Sequence, residues 1–454
     1  MGIATFFITI IKSIIVPVLY YGGILTCVPT ILRRAEWGFF LMVALIPQPN
    51  IFYKFYVYPM GTKYLDMLFI AVFIGILVNK RKIVLTHNSI LIGLLLLVSY
   101  ISLWNTSANF SLPAPITTRS ALLVEWKSYA VMMCMYFLGL NISKNETQHK
   151  IVMMIMALVV LFISVQSFRS FTAGISFSEE SRFAGPFEVV GLNSNHLAAF
   201  VVSYCSLFLG LLLFDNDKWR RVLFLAAVAF GLHPLFFSFS RGAYAAAIGV
   251  LVFFGIIKKR SLLVLAIILI MTWQTLLPSS VVDRIKMTSG GPRGPESSVA
   301  VRLDLWNHAV ELFEKHPIFG VGFGGFELSV PEKSEIKNTH NLYLKILSEQ
   351  GVIGLSLIAL TFFMALRSGQ RLFKKGLTRF QKGLGFGFLG CTVAFIITNM
   401  FGDRWSYFVL GDYFWIVWGF VDREILMSDT SVIAGGEESH ELEAGAVDST
   451  YQQG

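Results

Sequence analysis

The stretch FSFSRGAYAAAIGVLVFF, residues 237–254, sets one arginine, Arg241, between two runs that read as hydrocarbon. The first run reaches back to about 220, and the second ends near 257, just before Lys258, Lys259 and Arg260. A helix needs about 20 mostly apolar residues to cross a bilayer core with its backbone groups satisfied internally. Two such runs joined by the short polar SFSR read as two spans and a tight turn. Outward from this pair the pattern recurs, giving candidate spans at 5–28, 35–49, 64–79, 88–105, 121–140, 150–167, 196–214, 220–238, 242–257, 261–277, 350–367, 383–401 and 406–422. Of the 454 residues 55% are hydrophobic and only 14% charged, with 41 phenylalanines, a composition foreign to soluble domains. The expected fold is an all-α polytopic membrane protein of about 12–13 transmembrane helices. The first run has no basic start and reads as a retained membrane segment, not a cleaved signal.

The formal charge of +9 raises the question of nucleic acid, but the cations cluster between spans: Arg33 with Arg34, Lys80 to Lys82, Lys144 with Lys150, Lys218 with Arg220 and Arg221, Lys258 to Arg260, and the set from Arg367 to Lys382. Membrane orientation alone produces that arrangement, so no nucleic-acid partner is expected. By the positive-inside rule these connections face the cytoplasm. The complementary connections, about 50–63, 106–120, 168–195, 239–241, 278–349 and 401–406, are then external. The domain reading is an N-terminal bundle over 1–277, a large external loop domain over 278–349, further membrane helices over 350–427 and an acidic tail, expected to be disordered, over 428–454. Within the loop, SGGPRGPESS reads as a flexible lead-in, and RLDLWNHAVELF has helical spacing of Leu303, Trp306, Val310 and Phe313. Cys27, Cys134, Cys205 and Cys391 lie in apolar runs with no CxxC pair, and read as packing residues.

Unusual polar residues fall on the external side in this threading. Arg182, Asn195 and His196 lie in RFAGPFEVVGLNSNHLAAF; Arg241 follows two serines; Arg302, His340, Asn341 and Glu349 belong to the large loop; Asp403 and Arg404 occupy the last external link. Arginine suits phosphate, because its planar fork of donors never deprotonates. Several external arginines therefore favour an anionic, membrane-anchored substrate such as a lipid diphosphate. No DxD or DxxD carboxylate pair accompanies them, which argues against a magnesium-dependent transferase, and no metal or cofactor is expected. Blander readings stand beside these: Arg241 snorkelling to the interface, Asn193 and Asn195 capping the helix that begins near His196, His340 and Asn341 as capping residues. Gly320, Gly322, Gly324 and Gly325 lack the context of a phosphate loop and read as tight turns. Gly351 and Gly354 read as places where helices pack closely.

Three segments, SFSRGAYAAAIG at 238–249, RLDLWNHAVELFEKHPIFGVGFGGF at 302–326 and THNLYLKILSEQGVIGL at 339–355, together resemble the bacterial O-antigen ligase and polysaccharide polymerase superfamily, as does RFAGPFEVVGLNSNHLA at 182–198. The resemblance implies a GT-C-like bundle and a metal-independent glycosyltransferase. Such an enzyme takes a glycan from undecaprenyl diphosphate and joins it to an acceptor hydroxyl at the periplasmic face of the inner membrane. It implies that Arg241 and Arg302 bind the diphosphate and that His340 acts on the acceptor hydroxyl. Arg182, Asn195, Asn341, Glu349 and Arg404 become further candidate contacts to diphosphate or glycan. The expected acceptor is lipid A-core; alternatives are a second lipid-linked glycan, as in a repeat-unit polymerase, protein oligosaccharyl transfer, or transport of a lipid-linked glycan.

Overall fold

The computed structural model describes residues 3–79, 82–143, 145–170, 182–276, 282, 297–331 and 337–451. Lys80, Arg81, Lys144 and most of the SGGPRGPESS lead-in lie outside the described residues. Among the described residues all regular elements are helical. In chain order the principal ones are α1 (Ile3–Leu32), α2 (Ala35–Leu45), α3 (Tyr64–Val78), α4 (His87–Asn109), α5 (Ala121–Ile142), α6 (Glu146–Ser170) and α7 (Ser194–Phe214). They continue with α8 (Lys218–Phe237), α9 (Arg241–Ile257), α10 (Arg260–Leu276), α11 (Ser297–Lys315), α12 (Leu342–Lys375), α13 (Arg379–Met400) and α14 (Phe408–Tyr451). Each apolar run read as a span falls mainly within one of these helices, the 35–49 run passing beyond the end of α2 at Leu45.

Nine described helices, α1, α3 to α8, α12 and α13, are long and apolar enough to cross a membrane unaided. The sequence reading counts more because it includes α2, α9, α10 and α14. The 17 residues of α9 and of α10 rise about 26 Å, a little short of a hydrocarbon core of about 30 Å. Large apolar side chains coat the outside, with Met271 79% exposed and Ile256 and Leu25 70% exposed. Water would penalise such a surface, whereas lipid solvates it.

The centre of the bundle is α13, which packs along α7, α12 and α9, while α14 runs between α5 and α12. Glycine sets the closest of these approaches. A Cβ on Gly387 of α13 would collide with the Leu207 carbonyl of α7, and one on Gly210 with the Gly387 backbone. Beside this seam Trp405, Trp415 and Trp418 are fully buried, with ring centroids 5.0 and 5.6 Å apart along the row.

The segment before α12 forms a small cap on one end of the bundle. Its helix α11 is where the sequence places it, but the buried face is Leu305, Ala309 and Leu312, packed with Val321, Phe326 and Val330. Leu303 is 47% exposed and Val310 39%, so the apolar spacing that announces the helix marks the wrong stripe. The next stretch, from Gly320 to Gly325, is stitched between α4 and α12. Val321 and Gly322 amides donate to the Ser348 and Glu349 carbonyls at 2.9 and 2.8 Å, Asn105 and Asn109 of α4 donate to the Gly320 and Val321 carbonyls, and Thr106 Oγ1 to Phe323 O. Gly322, with φ +111°, lies so close to Thr106 that a Cβ would overlap it. Gly351 is more than a packing glycine: its φ of 62° and ψ of −159° break α12 into two helical pieces.

Helix α14 runs from Phe408 to Tyr451. The four cysteines are free thiols.

Candidate active site

Alternation of the helices places the described residues of the basic connections at one end and the polar residues singled out above at the other. At that second end, beneath the cap, the entry to α7, the α8–α9 turn, the turn before α12 and the 401–406 link converge.

The turn before α12 carries His340 in a left-handed conformation, φ 51°, which few non-glycine residues adopt without being held there. Its neighbours hold it. The His340 amide donates to Asn338 Oδ1 at 2.8 Å, Thr339 Oγ1 donates to the Asn341 carbonyl at 2.8 Å and accepts from the Asn341 amide at 3.2 Å. From the cap, Trp306 Nε1 of α11 donates to the Thr339 carbonyl at 2.8 Å. That bond ties α11 to the turn, and Arg302 stands one helical turn before Trp306 on the same helix face.

Electrostatics gather around the His340 ring. Burial, then the Arg302 and Arg404 guanidiniums, push its pKa down to about 4, with Asp403 pulling the other way. The imidazole is therefore neutral at physiological pH. Arg404 is itself buried and brought down to about 10, Asp403 opposing the burial and Arg302 adding to it; its guanidinium lies over the Gly402 backbone. The link is braced by Asn399, whose Oδ1 accepts the Arg404 amide at 2.8 Å and the Trp405 amide at 3.2 Å. Burial alone would raise Asp403, but Lys345, 3.1 Å away, and the Ser406 donors keep it below the ordinary carboxylate value. His196, edge-on to Tyr407 at 5.3 Å, lies within electrostatic reach of both Arg404 and His340.

Arg241 is the first residue of α9, half-buried, after the Ser238–Ser240 turn in which Phe239 takes φ 55°. Its helix start abuts the same link, since a Cβ on Gly242 would meet Phe401 at 2.7 Å. Arg182 closes the group from the α7 side: Nε donates to the Ser238 carbonyl at 3.0 Å and Nη2 to Asn195 Oδ1 at 2.8 Å.

Not every candidate faces the His340 group. Asn341 Oδ1 caps α12, accepting the Tyr343 and Leu344 amides at 3.0 and 3.3 Å. Asn193, not Asn195, caps α7. Glu349 is 1% exposed and faces the glycine-rich stretch; Gly324 and the charged Lys345, Glu125 and Glu327 are its neighbours. The Lys345–Asp403 pair was missed from sequence. The signal was available: a lone lysine inside an apolar run, opposite an Asp-Arg dipeptide in a short link. The chain does contain one Asp-x-Asp, Asp215 with Asp217, but at the basic end, where Arg220 holds Asp215 at 2.7 Å. Among the described residues, no group of three His, Cys, Asp or Glu side chains is arranged to hold a metal ion.

Fold and site together define a multi-pass helical membrane protein with a neutral histidine set among guanidiniums at one end of the bundle. Residues 226–359 match the family model described as O-antigen ligase. This segment is thus similar to the O-antigen ligase family, a likeness that supports a ligase- or polymerase-type function in polysaccharide assembly. No curated protein matches the chain. The matched segment supplies Arg241, Arg302 and His340, whereas Arg182, Asp403 and Arg404 come from outside it.

Proposed function

We propose that the protein is a glycosyltransferase that moves a glycan from undecaprenyl diphosphate to an acceptor hydroxyl at the periplasmic face of the inner membrane, the acceptor being lipid A-core. The observation that carries this reading is the left-handed His340 turn, held by Asn338, Thr339 and Trp306, with the buried imidazole in electrostatic reach of Arg302 and Arg404 at the end of the bundle opposite the basic connections. The acceptor oxygen attacks the anomeric carbon, the carbon–oxygen bond to diphosphate breaks, and the acceptor proton passes to an imidazole nitrogen of His340. Charge develops on the leaving diphosphate, which Arg241 and Arg302 would stabilise as donors in a site partly shielded from water. Guanidiniums in that role make the reaction independent of divalent metal.

The charge distribution adds a coupling. A base with a pKa near 4 is weak; burial is the main cause, and bound diphosphate would offset only the smaller share that comes from Arg302 and Arg404. Arg404, Arg182 and the Lys345–Asp403 pair support this group, and Asn341 and Glu349 act chiefly through the backbone they hold.

Purified protein given a polyprenyl-diphosphate glycan and lipid A-core is expected to form product at an undiminished rate in EDTA; a strict requirement for magnesium or manganese would overturn the mechanism. A polymerase uses the same leaving group and differs only in acceptor. Deletion of the gene separates the two: accumulated lipid-linked polymer marks a lost ligase, while single repeat units still joined to core mark a lost polymerase.

A further inference from the structure

At the opposite, basic end of the bundle a cavity of about 620 Å³ opens between the start of α4, the last turns of α12 and the middle of α14. Its volume falls in the range of small-molecule sites, roughly 300–1,000 Å³, and none of the residues assigned above to glycan transfer lines it. Arg367 and Arg371 line one side, and Asn88, Ser368 and Asp422 form a polar floor. Apolar Leu85, 67% exposed, and Met364 lie alongside. We propose that this cavity binds the head group of a phospholipid from the adjacent leaflet, with the phosphodiester on Arg367 and Arg371 and a terminal ammonium on the Asn88–Asp422 floor.

The floor dictates the ammonium. Asp422, 5% exposed, accepts from Tyr136 Oη at 2.5 Å and Asn88 Nδ2 at 2.6 Å on one oxygen, and from Ser368 Oγ at 2.7 Å on the other. Three of the roughly four lone-pair positions of the carboxylate are used, and one is left. Because the Asn88 amide nitrogen must face that carboxylate, its Oδ1 is turned away; Asn88 is 6% exposed and the oxygen has no hydrogen-bond partner among the described residues. A buried amide oxygen without a donor, beside a carboxylate with one position left, favours a cationic donor. The opposite wall has the reverse character. Arg371 pairs with Asp429 at 2.6 Å, whereas among the described residues the exposed Arg367 makes no hydrogen bond or ion pair. A group anionic at one end and ammonium-bearing at the other, attached to hydrocarbon, matches all three walls. Phosphatidylethanolamine has that chemistry.

The full-length protein, delipidated and reloaded from mixed vesicles of phosphatidylethanolamine and phosphatidylglycerol, should retain the former selectively in native mass spectrometry. Arg367→Gln, at an exposed position, should lower that retention by about tenfold, the loss of one charge-assisted hydrogen bond, while Arg367→Lys loses less. Equal retention of the two lipids would overturn the ammonium assignment. Retention unchanged in Arg367→Gln would overturn the site. Thermal stabilisation by millimolar inorganic phosphate equal to that by the lipid would identify a free-anion site and overturn the lipid reading.

Discussion

In the proposed mechanism His340 carries the chemistry and also its pH dependence. Burial, and after it the Arg302 and Arg404 cations that disfavour the imidazolium, lower its pKa to about 4. The neutral base is present above that value and lost below it. The acid limb of kcat/KM, which reports the free enzyme, is therefore expected near pH 4 and not at the 6.5 of an ordinary histidine. In Arg302→Gln the residual activity should show that limb shifted upward, because one depressing charge is gone. A limb that stays put in the variant would separate Arg302 from His340. Arg302→Gln and Arg241→Gln should each also cost on the order of 10²–10³ in kcat, the usual loss when one preorganised donor to a developing anion is removed. Burial of Arg404 beside Asp403 makes it the less tolerant position, and Arg404→Gln should lower expression as well as rate, read from membrane protein levels.

Two elements position that residue. Helix α11 reaches the His340 turn through Trp306 Nε1 and the Thr339 carbonyl. Trp306→Phe keeps the ring and removes the bond, so a stability loss of only about 1 kcal/mol is expected, with kcat falling several-fold and KM little changed. Equal loss in a thermal melt and in rate would instead mark Trp306 as a packing residue. The glycine-rich stretch is less forgiving. Gly322→Ala meets both a positive φ and the Thr106 backbone, and should separate the cap from α4, seen as protease cleavage near 320. How much of this was legible follows from the same elements. The helices announced themselves through apolar length, because lipid makes that signal strong. The buried stripe of α11 did not: its partners, Val321, Phe326 and Phe110, lie at distances along the chain that periodicity cannot reach. The turn character of the 320–325 glycines was legible, while their seam with α4 was not, since Ser102, Asn105 and Thr106 lie more than 200 residues away.

Across the whole molecule the ends of the bundle divide the work. Basic connections and the 620 Å³ cavity occupy one end, the arginine–histidine group the other. The side on which each polar residue falls was legible from alternation of the cationic connections. The Lys345–Asp403 pair was not, because it joins the entry of α12 to the link after α13. The close α7–α13 seam holds these parts in register: Gly387→Leu should push the helices apart and reduce folded protein in the membrane, and loss of transfer without loss of folded protein would contradict that account.

The most direct test of the central claim is transfer of glycan in a deletion strain carrying wild type, Arg241→Ala or His340→Ala at matched membrane levels, with lipid-linked donor and finished surface glycan resolved on gels. Both variants are expected to accumulate donor and lose product. Full surface glycan in both would contradict the account, leaving Arg241 as an interfacial anchor and His340 as part of a structural turn.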